Sequence, residues 1–281
     1  MSIRIIPRLD IKGPNLVKGI HLEGLRVLGH PEEFAKLYYE QGADELIYQD
    51  TVASLYERNS LTEIVTKTAE NIFIPLTVGG GIRTLEDINL VLRAGADKVA
   101  INTAATKRPV FIEEASKSFG SSTIVVAIEA IKQADGSYLV STDNGREYTG
   151  INAISWAKEV QERGAGEILL TSIEKEGTGE GFDLELIEEV TKVVAIPVIA
   201  HGGACNNEHI YSAIKKSNAN AIAISSMLHY TLLNQNFFEN SLSQEGNTEF
   251  IRNNKSFKMF GNSNISGIKE FLINKSIDIR V

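Results

Sequence analysis

The sequence predicts a single closed (β/α)₈ barrel of the TIM type, made of two duplicated half-barrels. Three observations predict it. Eight short apolar runs rich in β-branched residues alternate with longer stretches of helical period. Uniformly apolar strands separated by amphipathic helices mean a parallel sheet covered by helices, and eight such units favour closure over an open sheet. The chain also repeats itself at a spacing of roughly 120 residues, far beyond the periods of solenoid repeats. Its 281 residues suit one barrel of this kind, with 1–120 and 121–231 as half-barrels and 232–281 as a C-terminal extension.

In chain order, strands are expected at 4–11, 45–50, 74–78, 98–102, 123–130, 167–171, 196–200 and 221–225. Helices are expected near 31–41, 60–71, 84–93, 109–119, 153–163, 183–193 and 208–216. Ser60 to Glu63 reads as a capping box, in which side chains satisfy the first free amides of a helix. Tyr138 to Thr142, followed by Asp143-Asn-Gly145, gives a strand-and-turn signal for a hairpin inserted after the fifth strand. The stretches 51–58 and 172–182 read as polar loops after strands two and six. Beyond Leu232 the chain turns to Asn, Ser and Phe without clear period, up to a last helix at 265–274.

The duplication is legible residue by residue. Gly42 to Tyr48 (GADELIY) matches Gly164 to Leu170 (GAGEILL), and Ala96 to Asn102 (ADKVAIN) matches Ala219 to Ser225 (ANAIAIS). Ile74 to Gly81 (IPLTVGGG) aligns with Ile196 to Gly203 (IPVIAHGG) with slight slippage. The first and fifth strands both end on a carboxylate, Asp10 and Glu129.

Composition narrows the function classes. Lys plus Arg number 28 against 36 Asp plus Glu, a formal charge of −8, which argues against a generally basic nucleic-acid binder. The lone Cys205 rules out an intrachain disulfide framework and fits a reducing cytosol. No uncharged apolar run reaches membrane-spanning length, and the N-terminus does not read as a signal peptide, so a cytoplasmic protein without membrane contact is expected. The five histidines show no zinc spacing; no metal and no cofactor are expected.

In this architecture chemistry belongs at the C-terminal strand ends. Gly80 and Gly81 with Asn102 and Thr103 form one cluster there, and Gly203 with Ser225 and Ser226 repeats it in the second half. One Gly-rich turn can be merely a tight connection. Two in equivalent halves predict two phosphate sites facing each other, hence a long bisphosphorylated ligand. Asp10 and Glu129 flank that ligand as an acid–base pair, or else are solvated or paired with Lys12 and Lys132. His201 either contacts ligand or is satisfied by backbone. At the opposite face Arg4, Glu45, Lys98 and Glu167 begin strands, as stabilising ion pairs or as a ring around the axis.

These motifs resemble the cyclase subunit of imidazole glycerol phosphate synthase, of histidine biosynthesis, over about residues 3–231. The specific stretches are Leu9 to Lys12, Thr77 to Ile82, Gly95 to Val99, Gly164 to Ser172 and Gly202 to Ala204. The resemblance implies a lyase that takes ammonia from a glutaminase subunit docked beneath the barrel. Ammonia passes along the axis and attacks a bisphosphate ribonucleotide, giving imidazole glycerol phosphate and an aminoimidazole carboxamide ribotide. It places the acid–base pair on Asp10 and Glu129 and the ammonia gate on Arg4, Glu45, Lys98 and Glu167. With that family in view, Lys18, Asp50, Thr171 and Gly177 join the two glycine clusters as substrate contacts.

The chain departs from the family at the mouth. Glu129 stands for an aspartate, Arg8 for a small residue, Glu174 and Glu176 for aspartates, and His201 for a small residue. Arg8 and His201 are therefore candidate specificity residues; if the chain is instead a sugar-modifying paralogue, Arg8 is expected to occupy substrate volume, pair with Glu129 and keep it ionised. Two alternatives accompany the synthase reading. One is a paralogue that supplies ammonia for acetamidino modification of a surface-polysaccharide sugar; the other is a conduit without chemistry of its own.

Overall fold

The computed structural model describes residues 2–53, 61–235 and 260–280. Its first strand, β1 (Arg4–Lys12), leads into a hairpin of β2 (Asn15–Ile20) and β3 (Glu23–Gly29), then α1 (Pro31–Glu40) and β4 (Leu46–Asp50). Next come α2 (Thr62–Ala69), β5 (Leu76–Gly79), α3 (Leu85–Arg93), β6 (Lys98–Ile101), α4 (Thr103–Lys107) and α5 (Val110–Phe119). The second half opens with β7 (Ile124–Lys132) and the hairpin of β8 (Tyr138–Thr142) and β9 (Glu147–Asn152), then α6 (Ala153–Glu162) and β10 (Glu167–Ser172). It ends with α7 (Leu184–Thr191), β11 (Val198–His201), α8 (Asn207–Ser217), β12 (Ala221–Ile224), α9 (Ser226–Asn234) and α10 (Ile265–Asn274).

Eight parallel strands close a barrel in the order β1, β4, β5, β6, β7, β10, β11, β12, with β12 pairing back to β1. Closure leaves no open edge among these eight strands. Alternation along each strand sorts side chains into two cores. One lies between barrel and helices and includes Leu9, Phe34, Val99, Trp156 and Ile222. The other fills the barrel interior with Ile6, Ile47, Ala100, Val125, Ala127, Leu169, Ile199, Ala221 and Ala223.

Each expected strand and helix has its counterpart, with ends displaced by a residue or two as fraying ends usually are. The hairpin after the fifth barrel strand is present, and its turn places Asp143, Asn144 and Gly145 at φ 53°, 60° and 79°. Asn, Asp and Gly tolerate that left-handed region, which is why this tripeptide reads as a turn. Expectation missed the hairpin β2–β3, in which Gly19, Gly24 and the alternate pattern of the first loop went unread. The capping box starting at Ser60 and most of the 232–264 stretch lie outside the described residues. The last helix is present as α10, and Lys269 on it donates to Asp44 Oδ1 at 2.7 Å beneath the barrel. Among the described residues no helix is long and apolar enough to cross a membrane.

Candidate functional site

Glu129 lies on the inward face of β7, two residues above Ala127, so the strand's alternation aims it into the mouth. The β8–β9 turn folds back over it, and the Gly145 N–H donates to Glu129 Oε2 at 3.0 Å. A cavity of about 370 Å³ opens beside it, lined by Glu129, Gln49, Asp50, Gly80, Gly81, Asn102, Thr103, Ala100 and Ala127 among others. Burial pushes the Glu129 carboxyl up to about 7, although the Arg8 charge and the Gly145 N–H pull the other way. It is a buried carboxylate facing open space, able to exchange a proton near neutrality.

Asp10 is placed differently. Both of its oxygens are engaged: Arg8 Nε donates to Oδ1 at 3.0 Å and Lys18 Nζ to Oδ2 at 2.8 Å. Lys18 also pairs closely with Glu176, whose Oε2 accepts from the Leu22 N–H at 3.0 Å. Burial by itself would raise the Asp10 pKa, but Lys18 and Arg8 outweigh it and hold the carboxyl well below the usual range. Neither Lys12 nor Lys132 pairs with the two strand-end carboxylates; Lys132 pairs with Glu185 instead. The expected Arg8–Glu129 ion pair is also corrected. Arg8 Nε reaches Asp10, two residues along its own strand face, and Glu129 is left with its proton-binding affinity raised.

Arg8 is held at Nη1 by a closed loop of hydrogen bonds, while its Nη2 is buried without a hydrogen-bond partner among the described residues. Its Nη1 donates to Thr171 Oγ1 at 3.2 Å and to His201 Nδ1 at 3.1 Å. A ring nitrogen that accepts from guanidinium must be unprotonated, so His201 carries its proton on Nε2 and donates to Ser225 Oγ at 3.3 Å. Ser225 Oγ in turn donates to the Arg8 carbonyl at 2.8 Å. Burial, with the Arg8 and Lys18 charges, lowers the His201 pKa well below its ordinary value and keeps the ring neutral. Thr171, His201 and Ser225 are thus occupied with Arg8, a network that the separate sequence signals did not announce.

The two glycine clusters occupy equivalent strand ends, yet they are not equally open. Gly80 sits at φ 102°, and a Cβ there would lie 2.5 Å from the Asp50 carbonyl oxygen. Gly203 sits at φ 97°, where a Cβ would lie 2.1 Å from the Gly181 carbonyl oxygen. Both glycines are required by close backbone approach whether or not an anion binds. The first cluster borders the large cavity; the second, with Gly177, Gly203, Ser225 and Ser226, lines one of only about 10 Å³, while Gly177 and Ser226 also border an outer cavity of about 270 Å³ beside His21, Tyr230 and Phe260. Asp50 Oδ1 accepts from the Val52 and Ala53 N–H groups at 2.9 Å each, so it also holds its own loop.

At the N-terminal face the four charges form a closed square. Arg4 bridges Glu45 at 2.7 Å and Glu167 at 3.0 Å, and Lys98 bridges the same pair at 3.1 and 2.8 Å. Burial alone would raise the Glu167 pKa, yet Arg4 and Lys98 lower it on balance. Of the two sequence alternatives, isolated pairs or a ring, the geometry is the ring. Sequence reasoning did not identify Gly145 as a partner of Glu129; its only signal was the turn tripeptide itself. Among the described residues no cluster of three or more His, Cys, Asp or Glu side chains is arranged to hold a metal ion.

Residues 4–234 match the family described as histidine biosynthesis protein. The chain is 62% identical over 202 residues to imidazole glycerol phosphate synthase subunit HisF of Legionella pneumophila, covering 72% of this chain and 95% of that one. It is 50% identical over 233 residues to the subunit of that name from Trichormus variabilis, covering 82% and 91% of the two chains. A Bacillus cereus subunit of the same name is 49% identical over 230 residues, covering 82% and 91%.

Proposed function

The chain belongs to the imidazole glycerol phosphate synthase subunit HisF family, and from that premise we propose that it is the synthase's ammonia-using cyclase, a lyase. Its substrate in this reading is a bisphosphate ribonucleotide lying across the mouth between the two glycine clusters. The observation that carries the reading is Glu129, a buried carboxyl raised to about 7 and facing a cavity of about 370 Å³ beside one of those clusters. A group titrating near the working pH can both take and return a proton as the ring closes and the leaving fragment departs. Asp10 is held anionic by Lys18 and Arg8 and, paired with both, keeps the β1 side of the mouth fixed. The relatives' names favour this reading over the sugar-modifying and conduit alternatives.

The partner in this reading is a glutaminase subunit seated on the face that bears Arg4, Glu45, Lys98 and Glu167. Lys98→Ala leaves Arg4 as the one cation between Glu45 and Glu167, whose repulsion then widens or distorts the ring. The expected outcome is product from free ammonia at near the normal rate, with glutamine-dependent product lowered about tenfold. Equal rates from both sources in Lys98→Ala and wild type would remove the gate role.

Substrate titration tests the whole reading. Calorimetry with the bisphosphate ribonucleotide should give one molecule bound per chain. Thr103→Asp and Ser226→Asp place a negative charge in one cluster each and should each weaken binding about tenfold or more. No binding, or binding indifferent to both substitutions, would defeat the proposal.

A further inference from the structure

Residues 4, 6, 8 and 10 of β1 share one face, and that face looks into the barrel: Arg4 joins the charged square and Ile6 the interior core. Arg8 therefore enters the interior one level above Ile6. Its guanidinium passes β12 to reach His201 on β11 and Thr171 on β10, spanning one side of the barrel. It is fully buried there, fastened at its other end to Asp10. The opposite side has no such filling. The large cavity descends along β6 and β7 as far as Ala100 and Ala127, two members of the interior core. On the Arg8 side, neither the small cavity, which stops at His201, nor the outer cavity beside Gly177 and Ser226 reaches Ala221 or Ala223.

We propose that ammonia leaves the barrel interior off its axis, between Ala100 and Ala127, because Arg8 braced on Thr171 and His201 closes the side bounded by β10, β11 and β12. The inference rests on the cyclase reading above, and it adds the exit that the reading leaves undefined. Neutral ammonia is about the size of water and passes where a water-sized space exists. The exit it gains lies directly below Glu129, because residues 127 and 129 share one face of β7. Arriving ammonia thus meets the substrate beside the group that exchanges its protons. Arg8 is in this account a positioning residue: it directs the path and touches no reacting atom.

The test compares two alanines of the same interior core in the complex with glutaminase. The readout is the ratio of glutamine-dependent to free-ammonia turnover, which cancels losses of general activity. Ala127→Val narrows the proposed exit and should lower the ratio about tenfold. Ala223→Val adds the same volume on the Arg8 side and should leave the ratio unchanged. Arg8→Ala in the Ala127→Val background opens the second side and should restore the ratio. If Ala127→Val fails to fold, Ala100→Val narrows the same exit from the adjacent strand and should lower the ratio likewise. An unchanged ratio in the exit variants, or an equal fall in Ala223→Val, would overturn the proposal. Absence of any product from free ammonia in the unmodified chain would instead count against the cyclase reading itself.

Discussion

Glu129→Gln is expected to lower turnover by about 10²–10⁴-fold and, above pH 7, to make the protein more stable. The activity loss follows from the amide, which keeps the shape and can still accept from the Gly145 N–H but cannot exchange a proton. The stability gain follows from linkage. The folded protein holds the Glu129 proton up to about pH 7, whereas the unfolded chain releases it near its ordinary value of 4.5. Folded chains therefore bind more protons between those values, and stability declines as pH rises through that window. Above it, the wild type bears the full cost of a buried carboxylate, about 3 kcal/mol, and the glutamine variant does not. Thermal unfolding should show Glu129→Gln with the higher Tm at pH 8 and no advantage at pH 4. An equal Tm at pH 8, or turnover near wild type, would show that the carboxyl is neither strained nor used.

Lys18→Met should be the most destabilising single change at the mouth. Lys18 lies fully buried between Asp10 and Glu176, and methionine fills similar volume without charge. Removing one partner of a buried ionic group strands the others, a loss of about 3–5 kcal/mol. The pH dependence gives the mechanism. The Asp10 carboxyl has a depressed folded pKa, so its contribution is present above the unfolded value and is lost as pH falls through the folded one. The gap between wild type and Lys18→Met, measured by urea unfolding, should then be wide from pH 7.5 down to about pH 4 and shrink as pH falls below the ordinary aspartate value of 3.8. A gap that does not change with pH would indicate lost packing alone. Turnover should fall as well, since Asp10 would keep Arg8 but lose the support of Lys18.

Much of this was readable in the linear chain, for a physical reason. A buried parallel strand is apolar throughout and a covering helix is periodic, so the eight units and their duplication appear directly in the residues. The charged square was likewise legible, because Arg4, Glu45, Lys98 and Glu167 begin strands and strand starts share one end of a barrel. Partner choice was not legible. Lys12 lies two residues from Asp10 and Lys132 three from Glu129, yet neither pairs with it: Arg8 and Lys18 already hold both Asp10 oxygens, and alternation turns Lys132 to the other face, where it meets Glu185. Lys18 reaches Asp10 only because β2 folds back on β1, pairing Asp10 with Val17. That hairpin was the element the pattern did not reveal. The Arg8 network joins β1, β10, β11 and the end of β12, four points of the chain that only closure of the barrel brings together.

The most direct test of the central claim is ¹⁵N incorporation by the isolated chain, supplied with ¹⁵N-labelled ammonium and the bisphosphate ribonucleotide at pH 8. The account predicts imidazole glycerol phosphate carrying one labelled nitrogen, released together with the aminoimidazole carboxamide ribotide, and no such product with Glu129→Gln beyond a trace. Recovery of unchanged ribonucleotide from the wild-type chain, bound at the mouth but never cleaved, would contradict it.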